Sequence, residues 1–207
     1  MTNSDFQVDG PTFSSLEREA PLLMRVKQFA DALDQTSWFA HLGERASDDV
    51  RHISETYLDR LGFPDAELAI LPTWEDAADA AETYDWASAA WEAEELARAD
   101  LTARALDVMS EEALDIGLRL VAQEAGQGAK AAMEDQASLW DMAEEGPRQL
   151  AVGAAVQAAH GAALSLIVAA SSDDEEEVKD HAFMWKFRLF AEGRWPVAIV
   201  GSTFSLF

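Results

Sequence analysis

The sequence predicts a mainly α-helical protein, a bundle of about six to seven helices that ends in a short β-hairpin. Over most of the chain, apolar residues recur at intervals of three and four, which is the spacing of one helix face. Several helix starts are marked by serine or threonine followed by acidic residues. Hydrophobic residues make up 49% of the chain, and much of this fraction is alanine, which favours closely packed helices over a sheet-based core.

The chain divides into an N-terminal arm and a single domain. Residues 1–12 are polar and are interrupted by Gly10 and Pro11, which predicts a flexible arm. Residues 13–207 are predicted to form one helical domain. Its first helix is expected over residues 14–33, where apolar side chains have helical spacing, and the second is expected to start at Ser47 and end near Gly62.

The middle of the chain is predicted to contain long helices. Thr73 begins a stretch that has no glycine or proline before Gly117 and should be helical for most of its length. Ser110 is expected to begin a further helix that continues to about residue 145. Gly146 and Pro147 are expected to end this helix and start the next within two residues, which would place the two helices antiparallel. The prolines Pro64 and Pro72 bracket a short apolar run that is interpreted as a connection.

An uncharged segment over residues 150–170 has the length of a membrane span if His160 is neutral. Its composition argues against that interpretation, because it is mostly alanine and glycine and contains Gln157 and His160. The basic flank is only Arg148. We therefore predict a buried central helix and no membrane partner.

The C-terminal part is predicted to contain one more helix and a hairpin. The helix is expected to begin in the acidic segment 171–177 and to end near Gly193. Residues 193–207 form the predicted tail, whose strands 197–200 and 203–207 are joined by Gly201 and Ser202. We expect no third strand to pair with this hairpin. Its apolar side chains should therefore pack on the last helices, or a homodimer should cover a face left bare.

The net charge excludes some classes of partner. Acidic residues number 39 and basic residues 15, which gives a formal net charge of -24. This charge repels nucleic acid and anionic membranes, so no nucleic-acid partner is predicted. The absence of cysteine excludes disulfides and thiolate chemistry. The first ten residues lack the basic and apolar pattern of a secretory signal, so we expect a cytoplasmic protein.

A small and polar stripe crosses the uncharged helix. Gly153, Gln157, Gly161 and Ser165 are four residues apart and therefore lie on one side of the helix, next to His160. One interpretation is a ligand pocket with His160 and Gln157 as binding residues. The other is a close helix crossing in which these polar side chains are hydrogen-bonded for structural reasons.

Counting residues from the expected turn at Gly146 and Pro147 places Glu134 opposite His160, so the two are predicted to form a charge-assisted pair. A di-metal carboxylate site is the obvious enzymatic comparison, because Asp49 and His52, like Gln157 and His160, have its spacing. The second pair supplies an amide in place of a carboxylate. We therefore predict no metal site and no cofactor.

Seven tryptophans are many for this length. They are expected to fill the core opposite alanine-rich faces, where large and small side chains pack well. The alternative is a partner-binding surface in which exposed members among Trp74, Trp86 and Trp91 act as anchors. Its expected acidic rim consists of Glu75, Asp76, Glu92, Glu94 and Glu95. Of these, Glu92 and Glu95 are predicted to contact the partner.

The function is predicted by elimination. The chain has no phosphate-binding glycine loop, zinc-protease helix, nucleophile elbow or calcium loop. We predict a non-enzymatic protein–protein interaction module that binds a basic partner, as an immunity or inhibitor protein does. The alternative is an enzyme, or a helical bundle that binds a small ligand or a metal, with a pocket around His160, Gln157 and Glu134.

Overall fold

The computed structural model describes residues 13–171 and 180–207. Within these residues it contains seven α-helices and three β-strands, which confirms the mainly α-helical class and the C-terminal hairpin. A 3₁₀ turn at Leu33–Gln35 follows the first helix. The predicted arm, and all of the acidic segment except residue 171, lie outside the described residues. The elements in chain order are α1 (Phe13–Ala32), α2 (Asp48–Leu61), β1 (Glu67–Ile70), α3 (Trp74–Glu82), α4 (Ala89–Leu106), α5 (Glu111–Leu139), α6 (Glu145–Ser171), α7 (Ala182–Ala191), β2 (Pro196–Val200) and β3 (Thr203–Leu206).

The predicted helix starts are confirmed at three positions. The side chains of Ser47, Thr73 and Ser110 each accept a hydrogen bond from the backbone amide three residues later, over 3.1 to 3.3 Å. Such a bond satisfies an amide that has no partner inside the helix. Local sequence chemistry therefore determines where α2, α3 and α5 begin.

The stretch after Thr73 is broken where we expected it to be helical. A loop over residues 83–88 separates α3 from α4. Asp85 accepts a hydrogen bond from the amide of Ala87 at 2.9 Å, and Ser88 accepts one from the amide of Trp91 at 3.2 Å and so caps α4. These side-chain bonds compete with helical bonding of the backbone, and they stop the helix without glycine or proline.

The α6 helix occupies the centre of the bundle, as predicted. It packs against α5, α7, α4, α1 and α3. Among the described helices, it is the one long and apolar enough to cross a membrane, and 61% of its most apolar window is buried inside the protein. This burial is typical of the core helix of a soluble protein.

The turn between α5 and α6 is longer than predicted. The α5 helix ends at Leu139 and α6 begins at Glu145, so Gly146 and Pro147 lie in the first turn of α6. Proline is tolerated there because the first amides of a helix have no partner within it. The reversal is therefore centred near Met142, which moves the residue opposite His160 away from Glu134 and towards the N-terminal half of α5.

The small sheet has a third strand that the sequence analysis did not predict. The described strands have the order β1-β3-β2, with β2 antiparallel and β1 parallel to β3. The expectation of an unpaired hairpin is therefore wrong, because the apolar run between Pro64 and Pro72 supplies β1 and covers one edge of β3. The tail side chains Ile199, Phe204, Leu206 and Phe207 are buried within the single chain. These tail residues therefore leave no exposed apolar face for a second subunit to cover. The homodimer itself stays a prediction.

Candidate binding site

A pocket with a cavity volume of about 180 Å³ lies where the α3–α4 loop, α4, α6, α7 and β2 meet. We name it the Trp86 pocket. Aromatic side chains from the α3–α4 loop and α4 form its wall, and a buried ion pair lies at its floor. The residues that carry the argument are Tyr84, Trp86 and Trp91 in the wall, Tyr57, Glu94 and Lys186 in the floor, and Gly153 and Gln157 on α6.

The aromatic wall is a cluster of three mutually packed rings. The ring centroids of Trp86 and Trp91 are 4.6 Å apart, and those of Tyr84 and Trp86 are 5.3 Å apart, both in edge-to-face arrangements. Such pairs are held by the aromatic quadrupoles in addition to apolar burial. Trp86 nevertheless leaves 55% of its surface exposed. The cluster therefore presents a positioned indole ring to solvent.

The floor is a buried network that joins three helices. Glu94 of α4 is only 6% exposed. One of its oxygens accepts hydrogen bonds from the Tyr57 hydroxyl at 2.5 Å and from Lys186 Nζ at 2.6 Å, and the other accepts from the same Nζ at 2.8 Å. Tyr57 belongs to α2 and Lys186 to α7, so the network fixes the position of α4 against both.

The protonation states of the floor follow from this network. Burial alone would raise the pKa of Glu94, but the charge of Lys186, the hydrogen bonds from Lys186 and Tyr57, and the charge of Arg98 together lower it. Burial, and secondly the charge of Glu94, raise the pKa of Tyr57 well above its usual value. Glu94 is therefore a carboxylate and Tyr57 a neutral hydrogen-bond donor at neutral pH.

Arg98 links the floor to the edge of the pocket. One of its terminal nitrogens donates to the Gln157 side-chain oxygen at 3.3 Å and lies 4.0 Å from Glu94. Its other terminal nitrogen binds Glu95. The contact with Arg98 orients the Gln157 amide, and its NH2 group supplies hydrogen-bond donors at the edge of the pocket.

His160 does not share a site with Gln157, with which it was expected to form a ligand pocket. It is half-buried, and its Nε2 lies 2.9 Å from the backbone oxygen of Leu118 in α5, to which it donates a hydrogen bond. Burial lowers its pKa, and the charge of Arg98 acts in the same direction, whereas the hydrogen bond to Leu118 raises it. The described residues that line the Trp86 pocket do not include His160. Its contact is therefore between helices.

Two predicted positions need correction. Glu134 is exposed and lies 3.9 Å from Lys130, so the expected contact with His160 is not formed. Trp74 is buried beside Trp195, with ring centroids 5.8 Å apart, and so belongs to the core. The first error arose because we assumed too short a turn between α5 and α6. The second arose because helical spacing alone does not show whether Trp74 is buried or exposed.

The other residues predicted to contact a partner lie on α4 and on the loop before it. Trp86 is exposed, Trp91 is half-buried in the pocket wall, and Glu92 and Glu95 are exposed on α4. Their neighbour Glu94, expected at the rim, lies instead in the floor. The floor partners Tyr57 and Lys186 were missed, although a lysine within the apolar helix α7 is a signal that could have identified one of them.

The polar stripe on α6 divides into two parts. A Cβ atom at Gly161 would lie 2.5 Å from Cγ of Phe183, and Ser165 is buried and donates to the Gly161 oxygen at 2.9 Å. Here the interpretation as a close helix crossing is confirmed. Gly153 and Gln157 are exposed and line the Trp86 pocket. The same stripe therefore packs a helix at one end and borders a cavity at the other.

The size of the pocket limits what can occupy it. A cavity of about 150 Å³ holds benzene, whereas sites for drug-sized ligands have roughly 300 to 1,000 Å³. The Trp86 pocket, at about 180 Å³, is suited to one amino-acid side chain.

Within residues 13–171 and 180–207, no three histidine, aspartate or glutamate side chains are grouped closely enough to hold a metal ion.

No family model, curated protein or solved structure matches the chain.

Proposed function

We propose that the protein is a soluble cytoplasmic interaction module, without enzymatic activity, that binds a basic segment of another protein at the Trp86 pocket. The observation that carries this proposal is the exposure of Trp86. All seven tryptophans lie in the described residues, and Trp86 is the only one of them that is exposed. It stands at a cavity that is large enough for one side chain.

The aromatic wall has the properties of an interaction hot spot. Tryptophan and tyrosine are enriched among the residues that dominate binding energy, and such residues pair with pockets that hold a partner's anchor side chain. The contacts of Trp86 with Tyr84 and Trp91 reduce the conformational entropy that its ring would lose on binding. A ring that is already positioned binds more tightly than a mobile one.

The charge around the pocket supports a basic partner. Glu82 precedes the loop that carries Trp86, Asp85 lies within it, and Glu92 and Glu95 follow on α4, all four of them exposed. The chain as a whole carries a formal charge of -24, which attracts basic proteins and increases the rate of encounter. A lysine or arginine of the partner can also interact with the exposed face of Trp86 through a cation–π contact.

The chemistry of the floor supports a binding role. Both oxygens of Glu94 already accept hydrogen bonds, and its lowered pKa keeps it ionised, so it is poorly suited to take up a proton. The network instead holds the pocket open between three helices. We propose that it gives the pocket a fixed shape before the partner arrives.

A selection experiment tests the proposal. Random peptides displayed on phage are selected on the folded protein and on its Trp86→Ala variant. Leu139→Ala serves as the control, because Leu139 is exposed and apolar but does not line the pocket. We expect the wild type and the control to enrich peptides with one aromatic or aliphatic residue flanked by lysine or arginine, and Trp86→Ala to lose this enrichment. Absence of such a motif, or its full persistence in Trp86→Ala, would refute the proposal.

A further inference from the structure

A second hollow adjoins the Trp86 pocket. It lies between α5 and α6, has a cavity volume of about 430 Å³, and is more open to solvent. We name it the α5–α6 hollow. Met133 and Val152 give it an apolar part, and Gln149 and Gly153 line both this hollow and the Trp86 pocket. The two depressions therefore meet on the surface of α6.

Gly153 lies at their meeting point, and the fold gives no packing reason for a glycine there. Glycine inside a helix is less favourable than alanine by about 0.5 to 1 kcal/mol. A Cβ atom at Gly117, Gly128 or Gly161 would come within 3.2, 2.8 or 2.5 Å of a packed side chain, which explains those glycines. At Gly153, a Cβ atom would have no described atom of a neighbouring element within 4 Å. The missing side chain leaves a low point on α6 between the two depressions.

From this arrangement we infer that the partner binds as an extended segment that crosses α6 at Gly153. One of its side chains fills the Trp86 pocket, and a second, aliphatic side chain packs against Met133 and Val152 in the α5–α6 hollow. The inference rests on the proposed function and adds the path and length of the bound segment. The occupant is the same basic segment, because the hollow shares Gln149 and Gly153 with the Trp86 pocket and the chain carries a formal net charge of -24. Around the hollow itself, Lys130 and Arg148 balance the charges of Glu134 and Glu145.

The geometry of an extended chain agrees with this path. Its residues advance about 3.3 Å each, and alternate side chains point to the same side. Two side chains on one side can therefore enter two adjoining depressions while the backbone between them passes over α6. A glycine at the crossing allows the partner's backbone to come close to the helix, whereas any larger side chain would hold it away.

The test compares two substitutions on neighbouring helices. Gly153→Leu places a side chain at the proposed crossing. Gly126→Ala is the control, because Gly126 lies on α5 and its added Cβ would make only an ordinary contact of 3.7 Å with Val156. Binding is measured calorimetrically with the peptide most enriched on the wild type. We expect Gly153→Leu to weaken binding by about tenfold or more, and Gly126→Ala to leave it unchanged.

Further measurements separate the possible outcomes. A peptide shortened to its anchor residue and basic flanks should lose less affinity on Gly153→Leu than the full peptide does, because Gly153 borders the Trp86 pocket at its edge as well as the proposed crossing. Equal binding of the full peptide by both proteins, together with loss of binding in Trp86→Ala, would overturn the crossing and leave the proposed function intact. Binding unaffected by either change would overturn both. If Gly153→Leu lowers the melting temperature, the crossing is tested on the wild-type protein by NMR. Addition of the full peptide should then shift the signals of the Gly153 amide and of the Met133 and Val152 methyl groups. Unchanged signals would refute the crossing.

Discussion

The two halves of α6 differ in what surrounds them, although both consist mainly of small apolar residues. Residues 158–169 are almost all buried against neighbouring helices, and Gly161 packs directly on Phe183. In residues 145–157, Gly153 and Gln157 are exposed beside two adjoining depressions. The comparison shows that a small-residue stripe has no fixed meaning. A bulky neighbour makes it a helix crossing, and open space makes it the border of a site.

The largest expected effect concerns the floor beneath the exposed half. Lys186→Met removes the nearer of the two cations beside the buried carboxylate of Glu94 and leaves Arg98 at 4.0 Å. We expect this to lower the free energy of unfolding by about 3 to 5 kcal/mol. The matched control is Lys130→Met, whose partner Glu134 is exposed, and which should change it by less than about 1 kcal/mol. Urea unfolding measures both values. Equal effects of the two substitutions would show that the floor network does not stabilise the pocket.

The next effect compares the two glycines directly. Gly161→Ala forces a Cβ atom against Phe183, and we expect this overpacking to destabilise the protein by about 1 to 3 kcal/mol. Gly153→Ala meets open space and should stabilise it by up to about 1 kcal/mol through helix propensity. Thermal unfolding followed by circular dichroism gives the sign of each change. Destabilisation by Gly153→Ala would show that this position is packed after all.

The smallest effect concerns His160, near the start of the buried half of α6. Its folded-state pKa is lowered, so the unfolded chain binds a proton more readily than the folded chain. The stability contributed by neutral His160 is therefore present above about pH 6.5 and is lost as the pH falls through the lowered folded-state value. His160→Gln retains a donor for Leu118 but does not titrate. Urea unfolding above about pH 6.5 and well below it measures how much unfolding free energy each protein loses on acidification. We expect His160→Gln to lose less than the wild type, and equal losses would contradict the assignment.

Local chemistry was the most predictable part of the structure. The caps at Ser47, Thr73 and Ser110 depend on residues within one helical turn, so the sequence pattern was sufficient. The break before α4 was missed because it depends on Asp85 and Ser88, with no glycine or proline to mark it. The strand β1 was missed because four residues between two connections show no clear alternation of apolar and polar positions.

The site was predictable only in part, because its contacts join distant positions. Trp86, Trp91 and Gln157 were named from their residue types and spacing. The bonds of Glu94 to Tyr57 and to Lys186 span 37 and 92 positions, and periodicity within one helix contains no information on such pairs. The pairing of Glu134 with His160 failed for a related reason, since a small error in the position of a turn shifts every expected contact between two long helices.

The proposed role of Trp86 is tested most directly by NMR of the tryptophan side chains. The seven indole N–H groups give separate reporters in the wall, the core and the rest of the surface. The protein, labelled with nitrogen-15, is titrated with the basic peptide enriched in the selection. We expect the indole signals of Trp86 and Trp91 to shift, and those of Trp38 and Trp74, which are buried and do not line the pocket, to stay in place. Shifts confined to Trp140 or Trp185, with Trp86 unchanged, would place the binding surface elsewhere and contradict the account.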